Sequence, residues 1–263
     1  MFDALYEKLT AADRARYLER IGLPHLEPKA DLDTLNRVLY AHTQHIPFEN
    51  LDAWDAGRCP SLAVRDLFDK MILHRRGGWC HELNGLLHPF LESLGYQVYS
   101  VGGRVTAGLD FLTPIGHHGV ICVLEGKKYY CDVGFGDICF QSAIALDGTP
   151  SPFGFSIEKK GDWYEVWRGG RHPMKMLMFA DLAYEPQDYL FANHANAALP
   201  GEPFRDTLFV SIMDGSKRKL LRGTTLTEQG NSPKTVLAEG VERAALPALL
   251  RQHFGIEYTL FPG

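Results

Sequence analysis

From residue 3 to residue 95 the apolar positions recur at helical spacing, and from residue 97 they crowd into short runs of another kind. Leu5, Leu9, Tyr17, Leu18 and Ile21 predict a helix over residues 3–21, stopped by Gly22 and Pro24. A second is expected from near Asp33 through Leu35, Val38, Leu39 and His42, ending before Pro47, and a third over Val64–Leu73. After Cys80, the residues Leu83, Leu86, Leu87, Phe90, Leu91 and Leu94 step by three and one, a helical stripe that Gly95 would cap. Pro89 lies inside this stripe, where it removes an N–H and crowds the Gly85 carbonyl. A kink is expected there rather than a break.

The later runs are "QVYSVGGRV", "HHGVICVLEGKKYYCDVGFG" and "PFGFSIEKKGDWYEVWRGG". Short β-branched and aromatic stretches separated by Gly and Lys turns predict an antiparallel meander or barrel. Beyond residue 180, "NHANAALPGEPF" reads as loop, followed by strands at Thr207–Met213 and Lys219–Thr225 and a last helix in "GVERAALPALLRQHF". The order is helical, then β, then mixed, an α+β chain with boundaries placed near 95 and 195: segments 1–95, 96–195 and 196–263.

Composition narrows the function. The chain has 263 residues, 45% hydrophobic and 22% charged, enough for one large domain or two to three packed subdomains. A net charge of −5 without any basic block gives no electrostatic case for nucleic acid. No apolar run is long enough to cross a bilayer, so no membrane partner is expected. The charged start "MFDALYEKLTAADRARYLERIGL" lacks a signal-peptide core, and a cytoplasmic location is expected. The five cysteines, at 59, 80, 122, 131 and 139, are odd in number and irregular in spacing, which fits reduced thiols better than a disulfide framework.

The stretch Arg75–Gly85, "RRGGWCHELNG", places two glycines before a cysteine and then begins a helix. Glycine permits a sharp turn and close backbone approach. At a helix start, unpaired N–H groups and the positive end of the dipole stabilise a thiolate, the reactive form of cysteine. A small apolar residue filling a gap under the turn is the alternative. A nucleophile needs a base, and the base an orienting group. In "HHGVICVLEGKKYYCDVG" a two-residue loop at Glu125–Gly126 pairs 124 with 127 and 119 with 132. His117 and Asp132 then share one face as diagonal neighbours, and His118 points to the other. A three-residue loop would reverse that choice. Asp132 sits in an otherwise apolar strand, where an unpaired carboxylate would be costly, so a partner is expected. Two other readings compete. Cys80, His81, His117, His118, Cys122 and Cys131 form a pool of zinc ligands, but no paired spacing joins them. The glycines of "DVGFG" can cradle a phosphate or simply make a turn.

These residues together resemble the arylamine N-acetyltransferase family. "RGGWCHELNG" resembles its signature, and "YLERIGL" (Tyr17–Leu23), "IPFENLD" (Ile46–Asp52), "GGRV" (Gly102–Val105), "DVGFG" (Asp132–Gly136) and "FGIEY" (Phe254–Tyr258) fit in the family's order along nearly the whole chain. The resemblance implies a papain-like architecture: a helical domain over 1–95 carrying the cysteine, a β-barrel over 96–195 carrying the histidine and aspartate, and an α/β lid over 196–263. It implies a triad of Cys80, His117 and Asp132, the fifteen-residue separation of the last two matching the family's. Acetyl-CoA would be the co-substrate, with no metal, and the acceptor an arylamine, arylhydroxylamine or hydrazine. Val105, Phe135 and Gly136 fall at positions that line the substrate pocket in relatives. The same triad on another acyl group, as a thiol hydrolase or amide synthase, is the alternative function. The chain departs from the family's common pattern at His81, Leu83 and Ala197-Ala198.

Overall fold

The computed structural model describes residues 2–136, 138–230 and 233–262. The helix expected over 3–21 begins only at Ala11 and runs to Arg20. Thr10 stops it from starting earlier: its hydroxyl accepts the Asp13 N–H at 3.2 Å, and the Asp13 carboxylate accepts the Thr10 N–H at 2.9 Å. Such a reciprocal cap satisfies two donors that a longer helix would have used internally. Asp31 caps the next helix, Leu32–His45. Val64–Phe68 continues directly into a wider π turn at Asp69–Leu73.

The helix Cys80–Ser93 is unbroken at Pro89. Leu83, Leu86, Leu87, Phe90 and Leu91 on it are all fully buried, and the Phe90 ring stacks on Tyr17 at 3.6 Å. That packing holds the helix through the lost hydrogen bond. Gly95 follows in the left-handed region at φ +93°, and its N–H returns to the Glu92 carbonyl at 2.9 Å.

Against this helix packs a seven-stranded antiparallel sheet. Its strands in spatial order are Ile144–Ala145, Lys127–Cys131, His117–Leu124, Gln97–Val105, Met174–Ala180, Trp163–Arg168 and Phe155–Lys160. The sheet curls until its two edge strands touch, a nearly closed barrel filled by Val101, Ile121, Phe140, Val166, Leu177 and Phe179. Met174–Ala180 was not foreseen as a strand. It links the first four strands of the barrel to the last two.

A second sheet has the order Phe48–Glu49, Phe209–Asp214, Lys217–Arg222, Thr225–Gln229 and Thr235–Ala238, with the helix Leu246–Phe254 over it. The strand expected at Lys219–Thr225 is two, folded back at Gly223 with φ +57°. Phe48–Glu49, from "IPFEN", ties the helical region to this sheet by pairing with Val210 and Ser211. The first half of "NHANAALPGEPF", read as loop, lies in a helix, Leu190–Ala198. The whole is α+β: a helical N-terminal region, a nearly closed barrel and a further α/β region. Among the described residues no helix is long and apolar enough to cross a membrane.

Candidate active site

The two glycines before Cys80 are required by crowding. A Cβ on Gly77 would stand 1.9 Å from the Pro47 carbonyl oxygen, and one on Gly78 would stand 2.8 Å from the Glu82 side chain. The chain can therefore pass flat against residues 47–49, where the Gly78 carbonyl accepts the Glu49 N–H at 3.0 Å. Trp79 is buried and donates from its indole to the Asn193 side chain at 2.8 Å. Asn193 in turn donates to the Pro60 carbonyl at 2.8 Å. The helix Leu190–Ala198 thus anchors the residue before Cys80.

Glu82 closes the helix start by accepting the Trp79 N–H at 3.1 Å. Behind it, Lys70 bonds Glu82 at 2.7 Å and Asp52 at 2.6 Å, while Arg76 bonds Glu49 at 2.9 Å and Asp52 at 3.1 Å. Burial nonetheless outweighs the Lys70 charge at Glu82 and pushes its carboxyl up to about 7.

Cys80 is the first residue of its helix, and Asn84 stands one turn further on. The Asn84 amide donates to Asp132 Oδ1 at 2.8 Å and to the His118 carbonyl at 2.6 Å, and its oxygen accepts the Val133 N–H at 3.0 Å. These bonds fix the helix that begins at Cys80 to the strand that carries the histidines and to the turn after its hairpin. The hairpin has the two-residue turn: Leu124 pairs with Lys127 and Val120 with Cys131, and Glu125 and Gly126 are both left-handed at +49° and +78°. His117 and Asp132 consequently meet, Nε2 to Oδ2 at 2.7 Å. The carboxylate also accepts the Tyr130 hydroxyl at 3.0 Å and the Gly134 N–H at 2.8 Å. Four donors hold a fully buried acid in one orientation.

Two more glycines make room for this arrangement. A Cβ on Gly119 would lie 2.5 Å from the Tyr130 ring, and one on Gly134 would lie 2.7 Å from the Cys80 Cα. The Gly134 N–H is already spent on Asp132, so "DVGFG" serves as a turn packed on the helix start and not as a phosphate cradle.

The electrostatics follow from this geometry. Burial alone would raise the Cys80 thiol, but the His81 and His117 rings beside it outweigh burial and bring it down to about 5. Burial alone would lower His117, but the Asp132 and Cys80 charges overcome it and hold the imidazole up at about 10. A thiolate paired with an imidazolium is the state favoured near neutral pH.

The remaining expected residues fall as follows. The Phe135 ring meets His117 edge-on at 5.5 Å. Val105 lies two residues beyond Gly103, which pairs with His117, and so shares that strand face. Gly136 has φ +87°; a Cβ there would stand 3.3 Å from the Phe48 ring, and its carbonyl accepts the Ser211 hydroxyl at 2.8 Å. Its visible work is to join the turn to the second sheet. His118 points away from His117, bonding Ser100 at 2.9 Å and stacking on Tyr189 at 3.9 Å. Cys122 and Cys131 lie in the core, and among the described residues no group of three or more His, Cys, Asp or Glu is placed to hold a metal ion. Asn84 and Tyr130 were missed as site residues. Both were open to discovery: Asn84 stands four residues after Cys80 in the predicted helix, and Tyr130 has the parity of Asp132.

With this geometry in view, comparison with known proteins is decisive for the family. A family profile described as N-acetyltransferase matches residues 31–260. The arylamine N-acetyltransferase of Mycolicibacterium smegmatis is 33% identical over 236 residues, covering 82% of each chain. That of Escherichia coli is 30% identical over 235 residues, covering 86% of this chain and 83% of its own. Among solved structures, the Nocardia farcinica arylamine N-acetyltransferase superposes with a TM-score of 0.84 at 31% identity, over 94% of this chain and 90% of that one. The M. tuberculosis enzyme gives 0.86 at 27% identity, over 95% and 93%. The chain belongs to the N-acetyltransferase family.

Proposed function

We propose that this protein is an arylamine N-acetyltransferase that carries acetyl from acetyl-CoA to an arylamine, arylhydroxylamine or hydrazine through a thioester on Cys80. The observation that carries the reading is the buried line from Cys80 through His117 to Asp132, at the start of a helix. In the first half-reaction the Cys80 thiolate attacks the acetyl carbonyl and the bond to the CoA sulfur breaks. The leaving CoA thiolate takes its proton from the His117 imidazolium. Helix-start N–H groups around Cys80 suit the negative oxygen of the tetrahedral intermediate.

In the second half-reaction the amine nitrogen attacks the acetyl-Cys80 carbonyl, neutral His117 takes the amine proton, and Cys80 leaves as thiolate. Asp132 stays ionised throughout and stabilises the imidazolium form of His117. An arylamine is uncharged at neutral pH and reaches the thioester without first losing a proton to the enzyme. Val105 and Phe135 supply an apolar wall on the His117 side, against which a flat ring gains about 25 cal/mol per Å² of surface buried.

The test is mass spectrometry after mixing with acetyl-CoA. One acetyl group is expected on Cys80, stable to water over the assay and released as N-acetyl product when an arylamine is added. Rapid release to acetate by water alone would make the protein a thiol hydrolase, and absence of the acetyl mass on Cys80 would remove the nucleophile assignment.

A further inference from the structure

The segment from Pro186 to Ala198 turns one stripe inward. Tyr189, Asn193 and Ala197, at steps of four, are buried, while Phe191 faces out, 88% exposed. Asn193 reaches the residue before Cys80. Its side-chain oxygen accepts the Trp79 indole N–H at 2.8 Å, and its amide donates to the Pro60 carbonyl at 2.8 Å. Tyr189, one turn earlier, reaches the residue after Cys80. Its ring lies 5.8 Å from the His81 ring and stacks, nearly parallel, on His118 at 3.9 Å. His118 follows His117 in the strand, and its Nε2 is bonded to the Ser100 hydroxyl at 2.9 Å. Tyr189 therefore packs against two neighbours at once, that of Cys80 on the helix and that of His117 on the strand.

Beside this contact the helix and the barrel do not close on each other. A cavity of about 330 Å³ lies there, bordered by His81, Gly85 and His88 from the helix Cys80–Ser93, by Ser100 and His118 from the barrel, and by Tyr189. Packed elements hold their spacing through interlocking side chains, and a void forfeits those contacts. Asn84 ties the helix to the barrel one turn beyond Cys80. At the first turn itself, the Tyr189 ring supplies the spacing. We propose that Tyr189 and Asn193 are positioning residues for acyl transfer, a clamp on Trp79, His81 and His118 that sets the distance between the Cys80 thiolate and the His117 imidazole. That distance matters, because misplacing reacting groups by about 1 Å costs about a hundredfold in rate. The two ties differ in kind. Asn193 fixes a direction, through a hydrogen bond whose partners are both buried. Tyr189 fixes a separation, through the thickness of a rigid ring. The same ring packs on His81, and His81 and His117 are the groups that bring the Cys80 thiol down. Each residue of the clamp acts through a neighbour of Cys80 or His117.

The experiment compares Tyr189→Leu, Tyr189→Phe and Asn193→Ala with the native protein. Peptide mass spectrometry gives two readings: the rate of Cys80 acetylation by acetyl-CoA, and the pH profile of Cys80 alkylation by iodoacetamide. Tyr189→Leu should slow acetylation at least about tenfold, because His117 is no longer held at its working distance. It should also move the lower edge of the alkylation plateau up from about 5 by about one unit or more, since the imidazoles stand off from the thiolate. Tyr189→Phe keeps the ring and should stay within about twofold of the native rate, with the edge unmoved. Asn193→Ala should slow acetylation severalfold. A side chain that served packing alone would lower the urea midpoint and leave the edge and the rate of the folded protein unchanged. That result in Tyr189→Leu or Asn193→Ala overturns the clamp. A loss in Tyr189→Phe as large as in Tyr189→Leu overturns it too, by assigning the effect to the hydroxyl. The two sites lie on opposite flanks of Cys80, so either variant that folds is decisive, and failure of both to fold would reduce the segment to a structural role. The acetylation rate rests on the acyl-transfer reading, but alkylation needs neither acetyl-CoA nor arylamine, so the two readings fail separately.

Discussion

The pairing of Cys80 with His117 predicts how alkylation by iodoacetamide should vary with pH. An ordinary thiol has a pKa of about 8.5, so about 3% is thiolate at pH 7. Cys80, brought down to about 5, is almost wholly thiolate at that pH, a gain of about thirtyfold. Lower basicity also lowers nucleophilicity: with a Brønsted slope of about 0.4–0.5, the same shift costs about 25- to 55-fold in intrinsic rate. The two effects nearly cancel, so the absolute rate at pH 7 does not separate a paired from an unpaired thiol. The slope does. Between pH 6 and 8 an ordinary thiol should speed up about 75-fold, whereas Cys80 should change by about a tenth. A plateau is therefore expected between about 5 and about 10, the lower edge set by Cys80 and the upper by loss of the His117 proton. The assay is peptide mass spectrometry of Cys80 after timed alkylation at each pH. Asp132→Asn removes the charge that holds His117 protonated, and its lower edge should move up toward 8. A wild-type rate that rises through pH 8–9 with no plateau beneath it would refute the ion pair.

Three further outcomes follow from the packing. Asn84→Ala leaves Asp132 short of one donor and the buried Val133 N–H without its acceptor, and should cost about 2–3 kcal/mol in urea unfolding together with acetyl-transfer rate. An unchanged midpoint would mean that water replaces the amide. Gly134→Ala would drive a Cβ to 2.7 Å from the Cys80 Cα, so the turn or the helix start must shift. A loss of tenfold or more in kcat/KM is expected in a protein that still unfolds cooperatively, measured by steady-state kinetics. Phe135→Ala should raise the KM for arylamines more than it slows acetylation of Cys80 by acetyl-CoA, since its ring lies against His117 on the proposed acceptor side. Equal losses in the two half-reactions would place Phe135 with the donor or the fold.

What the sequence revealed was what local rules decide, and what it hid depends on distant partners. The histidine that meets Asp132 was readable because a two-residue turn fixes register and register fixes face. The false start at residue 3 was avoidable, since "TAAD" at Thr10–Asp13 spells the cap that the structure shows. The helix Leu190–Ala198 was a different kind of error. Asparagines and a histidine masked its four alanines, and its inward anchor is polar, Asn193 to Trp79, so no apolar stripe announced it. The helix after Cys80 carried more than its leucine stripe shows. Cys80 and Asn84, one turn apart, face His117 and Asp132, while His81, Gly85, His88 and Glu92 recur at four, three and four along the cavity side. The hairpin register that turns His117 toward Asp132 obliges His118 to face the other way, onto that same cavity. The bond of His117 to Asp132 and that of His118 to Ser100 are therefore two consequences of a single register, and a substitution that slipped the hairpin by one residue would exchange the partners of the two histidines at once.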